Sequence, residues 1–330
     1  MRQNLFNRIT ACFCAALLLL CAVPAFCDDL TPQYIAEVRV DCSLRTEPRE
    51  NAPVELRLKE GNEVKVMEYA PEWCYVTRKG DKGYVKTDYL RYFRSQDAFL
   101  YPVPGYTFQT GLGTAREEMF VSADNFDGVT VKAGSVFAVQ RPVPGGYELA
   151  VARGTCFAEA EKVDYVPFPD WQDAKAGDVI CAFTTYYNDH YSKYRNEERQ
   201  HNIALGCERI SGTILDPGES FSFNELCAPY TEKNGYQYAA NISKSGYGYG
   251  GGVCQVSTTL YNALLGLPLK ITKWNVHWDK GVPYIPVQFD SAVGSYTDLC
   301  FENTLPYRIR LEAFPQDGTV TVLIYAEPGA

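Results

Sequence analysis

The chain has 330 residues, of which 46% are hydrophobic and 22% charged, the balance of ordinary globular material. Its net charge of −9 argues against non-specific binding to nucleic acid. Twenty-four tyrosines and nineteen prolines suit β-rich modules with aromatic surfaces.

The N-terminus reads as an export signal. Arg2 and Arg8 are basic, Ala11 to Val23 is an apolar run, and Ala25-Phe26-Cys27 precedes Asp28 as a cleavage site. The run is short for a membrane span, and a retained anchor is the alternative. Cleavage after residue 27 leaves about 300 residues, enough for two or three domains. The expected product is a secreted, wall-associated protein with no stable membrane span. Of twelve cysteines, Cys12, Cys14, Cys21 and Cys27 fall in the signal, leaving eight. An even count outside the cell invites disulfides, and the pairing cannot be read from the chain. With no CxxC pair after the signal and only three histidines, no metal site and no cofactor are expected.

Residues 34–93 alternate with period two and break at glycine turns: Ala36 to Val40, Leu58 to Val66 around Gly61, Trp73 to Val76, and Gly83 to Lys86. A small β-barrel is expected. The order of Leu44-Arg45, Pro48, Leu58-Lys59, Gly61, Val64, Val66, Trp73, Val76, Gly83-Tyr84-Val85 and Tyr89-Leu90 resembles the bacterial SH3 domain. That resemblance implies binding to cell-wall peptide or glycan, with a plain spacer as the alternative. Lys132 to Val139, Tyr147 to Val151 and Lys162 to Phe168 echo the same strands. They predict a second, divergent SH3-like module over residues 96–168, followed by a linker from Pro167 to Gly177.

Residues 178–326 read as α+β. Val179 to Thr184 predicts a strand, and Asn202 to Ile210 a helix. Asp216-Pro217-Gly218-Glu219 predicts a turn. Val256, Leu260, Tyr261, Leu264 and Leu265 share one helical face, ended by Gly266 and Pro268. Leu269 to Trp274 predicts a strand leading to His277, and two strands follow over 307–314 and 319–325.

The run Gly250-Gly251-Gly252-Val253-Cys254-Gln255 puts a thiol at a helix start behind a bare loop. Helix N-termini carry unpaired N–H groups and partial positive charge, which favour thiolate. His277 and Asp290 downstream supply a base and an orienter. The competing reading is a structural cysteine in a glycine turn, with Asp298 or Asn303 as other orienters of the histidine. Phe221, Phe223 and Tyr261 are read as core.

This domain resembles the VanW family. The resemblance rests on Phe183-Thr184-Thr185, Arg199, Asn202-Ile203, Ile214-Leu215, Pro217 to Asn224 and Gly235-Tyr236. It continues through Gly250 to Asn262, His277, Tyr284, Pro286, Asp290, Asp298-Leu299 and Asn303. Ala228, Tyr230, Trp278 and Gln288 depart from the family pattern, which puts substrate contacts in doubt. The resemblance implies L,D-transpeptidation of peptidoglycan through Cys254. The order Cys, His, Asp is similar to papain-like and transglutaminase-like cores. The roles expected are Cys254 as nucleophile, His277 as base and acid, and Asp290 as orienter. Gly251 and Gly252 would form the oxyanion loop, and Arg199, Asn202, Asn224 and Gln255 are substrate-binding candidates. Two rival readings are a non-catalytic peptidoglycan-binding adaptor and a wall endopeptidase.

Overall fold

In a computed structural model the chain is described over residues 32–95, 103–187, 196–241, 246–277 and 281–327. The expected signal, residues 1–27, and Trp278 lie outside the described residues. The fold is mainly β, with helices confined to the C-terminal part.

The N-terminal strands are β1 (Tyr34–Val38), β2 (Cys42–Arg45), β3 (Val54–Leu58), β4 (Glu63–Glu68), β5 (Trp73–Arg78), β6 (Asp81–Lys86) and β7 (Leu90–Ser95). They form an antiparallel sheet in the order β3-β2-β6-β5-β4-β1-β7. Alternation drives it: Tyr34, Ala36 and Val38 point inward, as do Val64 and Val66, while their neighbours face out. This module shares one continuous apolar core with the C-terminal domain. Gln288 ties the two by accepting from Tyr92 N–H at 3.0 Å. Its backbone sits at φ 73°, a left-handed conformation that favours glycine.

Next come β8 (Gly111–Ala115), β9 (Met119–Ala123), β10 (Phe126–Val131), β11 (Val136–Val139), β12 (Arg141–Val143), β13 (Gly146–Val151), β14 (Gly154–Glu159) and β15 (Val163–Pro167). They pair as β11-β8-β15, β12-β13-β14 and the β9–β10 hairpin. Val121, Val129, Leu149 and Val151 fill a separate core, into which Tyr186 of the next domain also packs.

The C-terminal domain opens with β16 (Val179–Tyr186) and α1 (Asn196–Ile210). After β17 (Ile214–Leu215) and β18 (Ser220–Ser222) come α2 (Phe223–Cys227), β19 (Tyr238–Ala240), β20 (Tyr247–Tyr249) and α3 (Val253–Leu264). The chain closes through β21 (Lys270–Lys273), β22 (Cys300–Glu302), β23 (Arg308–Gln316) and β24 (Thr319–Glu327). One antiparallel sheet runs β16-β24-β23-β17 and a smaller one β18-β22-β21. Helix α1 packs on β23, and α3 packs on β16 and β24.

The apolar stripe of α3 predicted a one-sided helix, but the helix is buried on every side, including Gln255, Ser257, Thr258, Thr259 and Asn262. Polar side chains are tolerated there because each finds a partner. Asn262 donates to Thr258 O and Phe289 O, and Thr259 Oγ1 donates to Gln255 O. The disulfide expectation also fails: all eight cysteines from Cys42 to Cys300 are unpaired thiols. Among the described residues no helix is long and apolar enough to cross a membrane.

Candidate active site

Cys254 is the second residue of α3. Glycine is required just before it. Gly252 caps the helix at φ 109°, and a Cβ there would lie 2.9 Å from Arg199 Cγ and 3.0 Å from Arg199 O. At Gly251 a Cβ would fall 2.4 Å from Ala240 O. The backbone therefore passes closer to α1 and β19 than any side chain allows. Val253 N–H donates to Gly250 and Gln255 N–H to Gly252, whereas no backbone carbonyl among the described residues takes the Cys254 N–H. That N–H and the positive end of the helix dipole belong to the turn that carries the thiol.

The strand β21 and the coil after it bring His277 to this helix end. Its Nδ1 lies 2.6 Å from Asp290 Oδ2, and the same oxygen accepts the His277 backbone N–H at 2.8 Å. Both side chains are sheltered, at 9% and 1% exposure. Nδ1 is engaged by Asp290, and Cys254 and His277 line the same cleft. Burial alone would lower the imidazole's pKa. The hydrogen bond to Asp290, and the interactions with Cys254 and with the Asp290 charge, outweigh it and push His277 up to about 9. The Cys254 thiol donates to Val293 O at 3.4 Å.

Asp290 is itself fixed. Trp274 stacks on Tyr261, with centroids 4.9 Å apart and planes 10° apart, and donates Nε1–H to Asp290 O at 2.9 Å. Neighbouring Ser291 N–H donates to Thr258 Oγ1, and Ser257 Oγ donates to Ser291 O. The alternative orienters are occupied elsewhere. Asp298 accepts from Ser222 Oγ, Asn224 N–H and Leu299 N–H. Asn303 donates to Leu215 O and Tyr307 O.

Cys254, His277, Gly251, Gly252, Arg199 and Gln255 line one cleft of about 550 Å³. Arg199 donates to Gln255 Oε1 at 2.6 Å and lies over the Tyr187 ring at 5.2 Å. Burial pulls its guanidinium down from the ordinary arginine range. Gln255 passes the chain on, donating to Thr185 Oγ1 at 3.0 Å. Asn202 and Asn224 do not line the cleft. Asn202 donates to Gln237 O and Gly251 O and accepts from Gln237 N–H, which clamps the glycine loop. Asn224 donates to Gly294 O and Thr297 O and accepts from Tyr230 OH, which braces the loop carrying Val293. Phe221, Phe223 and Tyr261 are core, as expected.

Sequence reasoning missed Tyr186, Tyr187 and the turn residues Asn125, Phe126 and Asp127, all of which line the cleft. Asp124-Asn125 and Gly128 do signal a turn, but nothing local says which domain that turn meets. Burial pushes Cys42 up to about 11 and Cys181 up to about 12, which makes both poor nucleophiles.

Comparison with known proteins follows this division. Residues 198–325 match the family model described as VanW like protein, and residues 41–91 match the bacterial SH3 domain. The chain is 34% identical over 147 residues to the Uncharacterized protein YoaR of Bacillus subtilis (strain 168), which covers 44% of this chain and 46% of that protein. It is 28% identical over 132 residues to the Vancomycin B-type resistance protein VanW of Enterococcus faecalis (strain ATCC 700802 / V583), covering 39% of this chain and 46% of that one. The chain thus matches about half the length of each of these relatives.

Proposed function

We propose, from the matches of residues 198–325 to the VanW family model and of residues 41–91 to the bacterial SH3 domain, that the protein is an exported cell-wall enzyme. It transfers acyl groups between peptidoglycan stem peptides through Cys254. The single observation that carries this reading is that Cys254, at the start of a helix, and His277, held by Asp290, line one cleft. The SH3 segment would hold the protein on wall peptide or glycan.

In the reaction, Cys254 sulfur attacks the carbonyl carbon of a stem amide after His277 takes the thiol proton. The carbonyl oxygen becomes an oxyanion facing the Gly252 and Cys254 N–H groups. As the C–N bond breaks, the imidazolium returns the proton to the leaving amine, and a thioester remains. An amine from a neighbouring stem then attacks the thioester and gives its proton to His277. The new amide is the cross-link and the thiol is restored. Asp290 keeps Nδ1 occupied, so that Nε2 carries both transfers.

Muropeptide analysis tests this. Purified peptidoglycan incubated with the protein should gain cross-linked dimers, and Cys254→Ala should abolish the gain. Shortened monomers in place of dimers would mean water is the acceptor and would refute transfer.

A further inference from the structure

The cleft is closed on one side by a different part of the chain. Asn125, Phe126 and Asp127, at the tip of the β9–β10 hairpin, stand among its lining residues with Arg199, Cys254 and His277. The hairpin tip and the rest of the middle module that carries it are held against the C-terminal domain. Phe126 packs on Tyr186 with ring centroids 6.5 Å apart. Ser135 Oγ donates to Asp317 Oδ2 at 2.8 Å, and Gln316 Oε1 accepts from Val136 N–H at 2.9 Å. Ala138 N–H donates to Thr184 Oγ1 at 2.8 Å, and Arg153 donates to Val282 O at 3.0 Å, close to Tyr284 of the cleft. The turn therefore keeps a set position relative to the sulfur.

Two charged groups line the cleft with no counter-ion of their own. Among the described residues, Arg199 pairs with no carboxylate; its contacts are a glutamine oxygen and a tyrosine ring. Asp127 is exposed and, among the described residues, pairs with no cation. The lining is thus polarised, cationic at Arg199 and His277 and anionic at Asp127. A ligand that satisfies both ends carries a carboxylate and a primary ammonium at once.

We infer that the β9–β10 hairpin is a specificity wall of the site, in which Asp127 binds a primary ammonium group on a peptide whose carboxylate lies on Arg199. This rests on the acyl-transfer reading for its substrate and assigns the SH3-like second module a direct share in recognition. A stem peptide with a diamino residue and a free C-terminus has both groups.

Binding calorimetry on protein carrying Cys254→Ala separates recognition from chemistry. The probes are the tetrapeptide L-Ala-γ-D-Glu-L-Lys-D-Ala, its Nε-acetyl form and its C-terminal amide. Acetylation and amidation should each weaken binding by about tenfold, the scale of one charge-assisted hydrogen bond. Asp127→Asn should erase the effect of acetylation and leave that of amidation, while Asp127→Glu should keep both. Discrimination against the acetylated peptide that survives Asp127→Asn would overturn the inference, as would failure of the free peptide to bind. Intact preference for the ammonium in Cys254→Ala, with no thioester formed when the unaltered protein is mixed with the same tetrapeptide, would instead refute the acyl-transfer reading and leave the ammonium site standing.

Discussion

Asp290 is fully buried and spends one oxygen on both the ring and the backbone of His277, while its other oxygen has no partner. A carboxylate so placed acts chiefly on the imidazole. Asp290→Asn removes the largest contribution raising the histidine while burial stays, so His277 should titrate well below its value of about 9. Proton NMR of the ring against pH reads this directly, and an unchanged titration would mean that Asp290 does not hold the proton. The same shift bears on stability. The folded-state value lies above the ordinary 6.5, so the protonated ring stabilises the fold fully below that value. The contribution, on the order of 3 kcal/mol, fades as pH rises through about 9. Denaturant melts of the protein against His277→Gln should therefore differ most in mild acid and converge in alkali. Gly252→Ala should also be severe, costing about 1–3 kcal/mol from its left-handed backbone before the contact with Arg199 is counted. A melting temperature that does not move would mean that the α3 N-terminus can rearrange.

At the scale of elements, α3 joins the two parts of the site. Cys254 sits at its start, and Asn262, two turns on, holds Phe289 O, the carbonyl just before Asp290. Asn262→Ala leaves buried Phe289 O and Thr258 O without that donor and should cost about 1–3 kcal/mol. It should also broaden the His277 resonance by loosening Asp290, and a sharp, unmoved resonance would place the support of Asp290 elsewhere. Much of this element was legible. Three glycines before a cysteine gave the helix start, because only glycine tolerates that backbone. Residues Leu269 to Trp274 gave the strand that leads to His277, because β-branched and aromatic residues favour extended chain. The burial of the polar face was not legible. Thr258, Thr259 and Asn262 look solvent-facing by type, and only their long-range partners Ser291, Thr185 and Phe289 explain them. The same blindness made Asn202 and Asn224 look like ligand contacts. Their acceptors are backbone carbonyls at distant positions that no local pattern identifies.

Over the whole molecule, the modules are less separate than their sequence patterns suggest. The core of the N-terminal sheet runs on into the C-terminal domain, and Tyr186 fills the core of the middle module. Period-two alternation marks each strand but says nothing about which faces meet, so the shared cores and the hairpin wall of the cleft could not be read in advance. Calorimetric unfolding of the whole chain should give one cooperative transition, whereas well-separated transitions would show modules that fold independently.

The central claim is that Cys254 carries the acyl group. Intact-protein mass spectrometry after rapid acid quench of protein mixed with stem tetrapeptide tests it most directly. A thioester adduct mapped to Cys254 is expected, absent in Cys254→Ala and slow to form in His277→Ala. Cross-linking by Cys254→Ala at the rate of the unaltered protein, or an adduct on another cysteine, would contradict it.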